Sequence, residues 1–241
     1  MCNLYNITTN QAAIIALARA MRDLSGNLEA YSNVYAGSQA PIVRNGINGQ
    51  RELVKAWWGM PTSQFVLMQG AKKKAEALKK KGQEPDFKQL LRMERDPGIT
   101  NIRNLDSKHW KQWLGVENRC VVPFTSFSEF NKAHGGDVWF ALDESEPLAF
   151  FAGIHVLSHT SVRKVKDGEV TKDLYGFLTT EPNAEVGAIH PKAMPVILRT
   201  QEEIDRWMTA PAADVPKLQQ PLSDGSLVIV ARANTQLGAQ A

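Results

Sequence analysis

Arg119-Cys120-Val121-Val122-Pro123-Phe124-Thr125-Ser126-Phe127-Ser128-Glu129-Phe130 is the stretch that carries the reading of the fold. Its first half is an apolar run that reads as a strand, with Cys120 as a small buried hydrophobe. A short turn follows, and the second half brings Glu129 between Phe127 and Phe130. A carboxylate at the end of an apolar strand is costly unless paired or used. Burial there raises its pKa towards the neutral form that a general acid needs.

Working outward, Phe65 to Met68, Val138 to Leu142, Leu148 to His155, Leu174 to Thr179 and Leu227 to Val230 read as further short strands. Gly135-Gly136 and Asp167-Gly168 mark turns between them. Gln11 to Leu24 reads as a helix with Ile14, Leu17, Ala18, Met21 and Leu24 on one face. Asn10 is its expected N-cap, and Gly26 lies just beyond its end. Glu202 to Met208 reads as a shorter helix. Many short strands with few helices between them imply an α+β, largely antiparallel architecture, taken as a single domain over 1–241.

The 241 residues are 43% hydrophobic, enough to bury a full core. A net charge of +3 permits nucleic-acid binding without arguing for it. Two cysteines make no disulfide framework and no zinc-ligand spacing, so no metal or other cofactor is expected. The N-terminus lacks a signal-peptide pattern, and no apolar run reaches the ~20 residues that span a bilayer. A soluble, cytoplasmic, reducing setting without membrane association is the expectation, with a monomer as the default state.

The segment Lys72 to Lys81 holds six lysines and one glutamate. It reads as a solvated helix face, or more sharply as an arm that contacts phosphates. Gly82 and Pro85 end it, and Pro97-Gly98 returns the chain to the core, so about 70–97 reads as a lysine-rich insertion.

Cys2 is the second residue. Removal of Met1 makes it an N-terminal 1,2-aminothiol, which no internal cysteine can supply. Its α-amine has a reference pKa near ~7.8, against ~10.4 for lysine, so far more of it is neutral and nucleophilic at neutral pH. A neutral amine converts an aldehyde to an imine, and the neighbouring sulfur then closes a thiazolidine ring. An arbitrary second residue is the simpler account of Cys2 taken alone.

Three later segments reverse those odds, and with the start they form an ordered set of four. The four are the Met1-Cys2 start, Thr100-Asn101-Ile102-Arg103-Asn104, the Arg119 to Phe130 stretch, and Phe177-Leu178-Thr179-Thr180 followed by Ile189-His190 and Met194-Pro195. Asn33-Val34, Trp58-Gly59-Met60-Pro61 and Phe151-Ala152-Gly153 add fainter agreement. Together they resemble the SOS-response-associated peptidase family, which captures abasic sites in single-stranded DNA. The resemblance implies a barrel-like β core with flanking helices, self-removal of Met1, and covalent capture through a thiazolidine link.

It also implies roles, residue by residue. Cys2 is the nucleophile, Asn101 holds the N-terminal group or the opened sugar, Glu129 is the acid/base, and His190 assists proton transfer. Arg103, Lys192, Trp57, Trp58 and Asn33 are the candidate DNA surface, through phosphate contacts and base stacking. One of the two tryptophans is expected to serve only as core. His109, His134, His155 and His159 are read as structural or exposed. The implied partner is single-stranded DNA containing an abasic site, and a bacterial member would be nucleoid-associated.

The chain departs from the family where Asn3-Leu4 replaces the usual Gly-Arg, which removes a phosphate contact. After His190, Pro191-Lys192-Ala193-Met194-Pro195 is one residue longer than usual, with lysine in place of arginine. Ala36 stands where a proline is common. Two rival readings stay open: an N-terminal-nucleophile cysteine amidohydrolase, and a non-catalytic single-stranded DNA-binding module in which Cys2 is incidental.

Overall fold

All six residues of Arg119–Phe124 are buried, so this strand is covered on both faces, as its unbroken apolar run requires. It lies at the centre of a computed structural model that describes Cys2 and residues 4–231, with His134 described by its backbone alone. The chain begins with β1 (Leu4–Ile7), α1 (Gln11–Ala18), β2 (Arg22–Asp23), β3 (Tyr31–Tyr35), β4 (Gln39–Asn45) and β5 (Arg51–Trp58). Next come α2 (Gln64–Lys80), α3 (Phe87–Arg92), β6 (Asn101–Ile102), α4 (Lys108–Lys111), β7 (Arg119–Phe124) and β8 (Ser126–Asn131). Then follow β9 (Gly136–Ala141), β10 (Ala149–Ser161), β11 (Val170–Thr180), α5 (Ala184–Ile189), β12 (Met194–Pro195) and β13 (Ile197–Leu198). The last described elements are α6 (Gln201–Thr209), α7 (Val215–Leu218) and β14 (Val228–Val230).

Strands β5, β4, β7, β10 and β11 pair in that order, all antiparallel. The ring closes where β11 runs parallel to β5, with Leu174 opposite Trp57 and Tyr175 opposite Trp58. Closure leaves the barrel without free edges. Strands β7 and β10 approach so closely that a Cβ at Gly153 would stand 2.9 Å from the Cys120 sulfur. A second sheet has the order β14-β9-β8-β1-β3. The chain passes from one sheet to the other at Thr125, whose N–H donates to the Asn6 carbonyl at 2.8 Å. The architecture is the α+β, largely antiparallel barrel expected from the sequence.

Aromatic rings join the two sheets. Tyr5 of β1 stands edge-on to Trp58 at 5.1 Å and to Phe151 at 5.7 Å, and Phe151 stacks on Phe124 at 3.9 Å. Each such pair adds about 0.5–1.5 kcal/mol beyond its burial. Arg119 is fully buried, yet its guanidinium donates to the Leu114, Trp207 and Ala210 carbonyls and lies 4.7 Å over the Trp207 ring. It ties the end of α6 to the barrel. Cys120 beside it is a buried free thiol, as expected.

The structure corrects three local expectations. Phe65 to Met68 is not a strand but the first turns of α2, capped by the Ser63 hydroxyl, with Ala71 and Ala75 on the inner face. The helix expected over Gln11 to Leu24 starts at its Asn10 cap but stops at Ala18. Arg19 takes a left-handed conformation there (φ 51°), and Arg22–Asp23 joins the barrel sheet beside Glu52–Leu53. Met21 and Leu24 are therefore exposed. Finally, strand alternation turns Phe127 and Glu129 inward and leaves Phe130 63% exposed, so Phe130 does not enclose the carboxylate.

Candidate active site

Strand β1 pairs with β8, with Leu4 opposite Ser128, and Cys2 just ahead of β1 lies near enough to Glu129 for the carboxylate's charge to act on the thiol. Both residues are fully buried. The Cys2 thiol donates to the Leu4 carbonyl at 3.5 Å. Burial, and secondarily the charge of Glu129, pushes this thiol well above the usual cysteine range, so it is a neutral S–H at physiological pH.

Glu129 is raised above the ordinary carboxylate range, chiefly by loss of solvent. His190, when protonated, acts against that rise, its Nδ1 standing 3.9 Å from Glu129 Oε2. His190 closes α5, which is capped by Asn183 and leads the histidine in at its C-terminal end. Its Nδ1 is 3.1 Å from the Ala193 carbonyl. A carbonyl only accepts, so Nδ1 carries the proton and Nε2 holds the lone pair in the neutral ring. At 17% side-chain exposure, His190 reaches towards solvent while Glu129 does not.

Asn101 comes from the opposite side. It begins β6, which runs parallel to β11 at the barrel rim, with Asn101 opposite Phe177. Its Nδ2 donates to the Cys2 carbonyl at 2.9 Å and to Thr100 Oγ1 at 2.8 Å. Those two bonds fix the amide orientation. They leave Asn101 Oδ1 buried and without a partner among the described residues. A buried acceptor held in that way favours an N–H or O–H arriving from a bound group. The four residues thus meet in one cluster between the two sheets: a buried thiol, a carboxyl raised by burial, a histidine near the surface, and an oriented amide.

A family model described as SOS response associated peptidase (SRAP) matches residues 1–235. The chain belongs to the SRAP family. A comparison with curated protein sequences finds no match. Among solved structures, a protein from Bacteroides thetaiotaomicron is similar at 21% identity and TM-score 0.63, over 97% of this chain and 93% of its own. A protein from Bordetella bronchiseptica is similar at 18% identity and TM-score 0.59, over 96% of this chain and 100% of its own. A phage-related protein from the same organism is similar at 14% identity and TM-score 0.61, over 95% and 92% of the two chains. At these identities the likeness speaks for the fold, and it is the SRAP family model that carries the membership.

The candidate DNA residues of this SRAP chain divide. Trp58 is 1% exposed, stacks on Phe177 at 5.1 Å and donates its Nε1–H to the Thr100 carbonyl. It offers no face to a base and is removed from the candidate surface. Trp57 is half-buried, with Lys172 Nζ 3.3 Å over its ring. Arg103 and Lys192 are exposed, and Arg103 pairs with Glu181 at 3.2 Å. Asn33 has a positive φ of 59°, and its N–H donates to Asn6 Oδ1 at 2.6 Å.

His155 is buried in the barrel, and His109 Nε2 bonds the Pro61 carbonyl. His159 is half-buried, and the His134 side chain lies outside the described residues. A cavity of about 660 Å³ lined by Arg22, Arg44, Glu52 and His155 includes none of the four site residues. Among the described residues no group of three or more His, Cys, Asp and Glu could hold a metal ion, and no helix is long and apolar enough to cross a membrane.

Sequence reasoning missed two positioning residues. Asn131 donates to the Ile189 carbonyl at 2.6 Å, tying the end of β8 to the residue before His190 and so fixing the Glu129–His190 separation. Thr100 fixes the Asn101 amide. Each lies within two positions of a named site residue, and that proximity was the available signal.

Proposed function

We propose that this SRAP member, once Met1 is removed, captures the aldehyde of an abasic site in single-stranded DNA through Cys2. The observation that carries the reading is the cluster itself, in which Asn101, Glu129 and His190 surround Cys2. The reaction begins with the closed abasic sugar. His190 takes the proton of the anomeric hydroxyl and Glu129 protonates the ring oxygen, which opens the sugar to its aldehyde. The Cys2 amine adds to the carbonyl carbon, and loss of one water gives the imine. The Cys2 sulfur then adds to the imine carbon. Its proton passes by way of the neighbouring carboxylate to the imine nitrogen, and a five-membered thiazolidine results. Asn101 orients the amine by holding the Cys2 carbonyl, and its Oδ1 is positioned to accept from the opened sugar.

The protonated thiol supports the amine as first nucleophile. An amidohydrolase would need a thiolate attacking an amide, and burial beside Glu129 disfavours that ion. The DNA contacts fall to Trp57, Arg103, Lys192 and Asn33, and the free N-terminus arises by self-cleavage or by a general aminopeptidase. The binding-only module remains the alternative that experiment must exclude.

An uncleavable N-terminal extension provides the test. Acylation turns the Cys2 amine into an amide, so the fused protein binds abasic strands and forms no denaturation-resistant adduct, while the processed protein forms one without added reductant. Crosslinking by the fusion at the processed protein's rate overturns the reading.

A further inference from the structure

Between β5 and β6 the chain makes a helical excursion whose outer face is not explained by the fold. Helix α2 buries Ala71 and Ala75, and Lys74 on its flank pairs with Glu94 at 3.0 Å. At about 100° per residue, the face turned away from these carries Phe65, Val66, Lys72, Lys73, Glu76 and Lys80. Every one of them is exposed. Three cations and one anion share this face, and its first turn adds two large apolar side chains, Phe65 at 69% exposure and Val66 at 54%. A merely solvated lysine face has no use for that adjacent apolar pair.

The root of this helix lies beside the site. Met60, just before the Ser63 cap, exchanges backbone hydrogen bonds of 2.9 and 2.8 Å with Ile99, two residues ahead of Asn101. From there α2 carries its lysines outward over about 25 Å of helix. Lys72 and Lys80 are separated by about 12 Å along the axis, a distance that covers several phosphates at the ~3.4 Å axial spacing of a duplex strand.

We propose that the outward face of α2 is a second nucleic-acid contact, binding the strand that flanks the lesion. Phe65 stacks on a base near the site, and Lys72, Lys73 and Lys80 take the phosphates beyond it. This rests on the proposed reading that a DNA strand is the substrate. Continuity with the strand that bears Asn101, together with the excess positive charge, selects a polyanionic strand as the occupant. Glu76 is the one residue on this face that opposes it.

The test is fluorescence anisotropy with an intact, labelled single-stranded oligonucleotide longer than the helix, measured over a salt series. Each single-strand phosphate contact contributes about 0.7 to the slope of log affinity against log salt. The triple variant Lys72→Gln/Lys73→Gln/Lys80→Gln is therefore expected to flatten the slope by about 2, which over a fourfold salt range is a relative change of roughly 16-fold. Glu76→Lys should steepen the slope by about 0.7. Phe65→Ala should lower affinity and leave the slope alone. Adduct yield at saturating abasic strand should be unchanged in all of them.

A wild-type slope in the triple variant overturns the proposal. So does loss of heparin binding with strand binding retained, which would make the face a docking site for another polyanion. If wild-type protein forms no adduct and the lysine variants still flatten the slope, the capture chemistry falls and this contact stands.

Discussion

Glu129→Gln separates a working acid from a structural carboxyl. The substitution keeps the shape and a hydrogen-bond donor but removes the titrating proton from a side chain that has no solvent contact. Protonation of the thiazolidine nitrogen reopens the ring, and a positioned acid contributes ~10²–10⁴-fold to such a step. Release should therefore slow by that factor, equivalent to ~2.7–5.4 kcal/mol of barrier at 1.36 kcal/mol per decade.

Wild-type release should slow as pH rises through the Glu129 pKa, which burial has lifted above the ordinary carboxylate range, and the variant should be flat. Stability should move differently. A carboxyl with a raised folded pKa costs the wild-type protein stability as pH climbs from ~4.3, the unfolded value, through the folded one. The carboxamide has no such loss, so the variant should be at least as stable at neutral pH. The assay preforms the adduct, adds excess unlabelled abasic strand and follows exchange across roughly pH 5 to 9, where the acid form is depleted. Wild-type formation and release rates in Glu129→Gln would make this residue a structural carboxyl and refute the assignment.

His190→Ala should slow adduct formation more than release, read by quenched time courses, because its Nε2 lone pair serves the sugar-opening step. Asn101→Ala should slow both, since the Cys2 carbonyl loses its 2.9 Å donor. Arg119→Leu leaves the Leu114, Trp207 and Ala210 carbonyls without their donor and should cost about 3 kcal/mol or more in urea unfolding. His155, pulled down to about 4 by burial and then by Arg44, should cost the wild type about 3 kcal/mol as pH falls from its unfolded value of 6.5 to 4. His155→Gln should flatten that part of the stability curve, and an unchanged acid limb would contradict the assignment.

What could be read from the sequence depended on the range of the interaction. The Asn10 cap and the buried strand at Arg119–Phe124 are local, and both appear as expected. The helix from Gln11 is shorter than its sequence pattern implies because its end is set by distant pairing, the Leu24 N–H donating to the Leu53 carbonyl. Phe65 to Met68 looked like a strand because four residues do not show a period, and the deciding positions, Ala71 and Ala75, lie one and two turns on. Barrel closure between β5 and β11 is parallel and far apart in sequence, so no local pattern announces it.

At the site, the burial of Glu129 is legible from its apolar surroundings, though of its two phenylalanine neighbours only Phe127 is buried with it. His190 had no local signal, and only its family resemblance placed it beside Glu129. Trp57 and Trp58 were indistinguishable as a pair until the strand assigned one of them to the core.

Intact mass spectrometry of the protein before and after mixing with an abasic single-stranded oligonucleotide tests the central claim most directly. The account predicts a starting mass lacking Met1 and a product heavier by the strand less one water, formed without reductant and absent in Cys2→Ala. A wild-type protein that has lost Met1 and gains no mass would contradict it, as would a Cys2→Ala protein that gains the same mass.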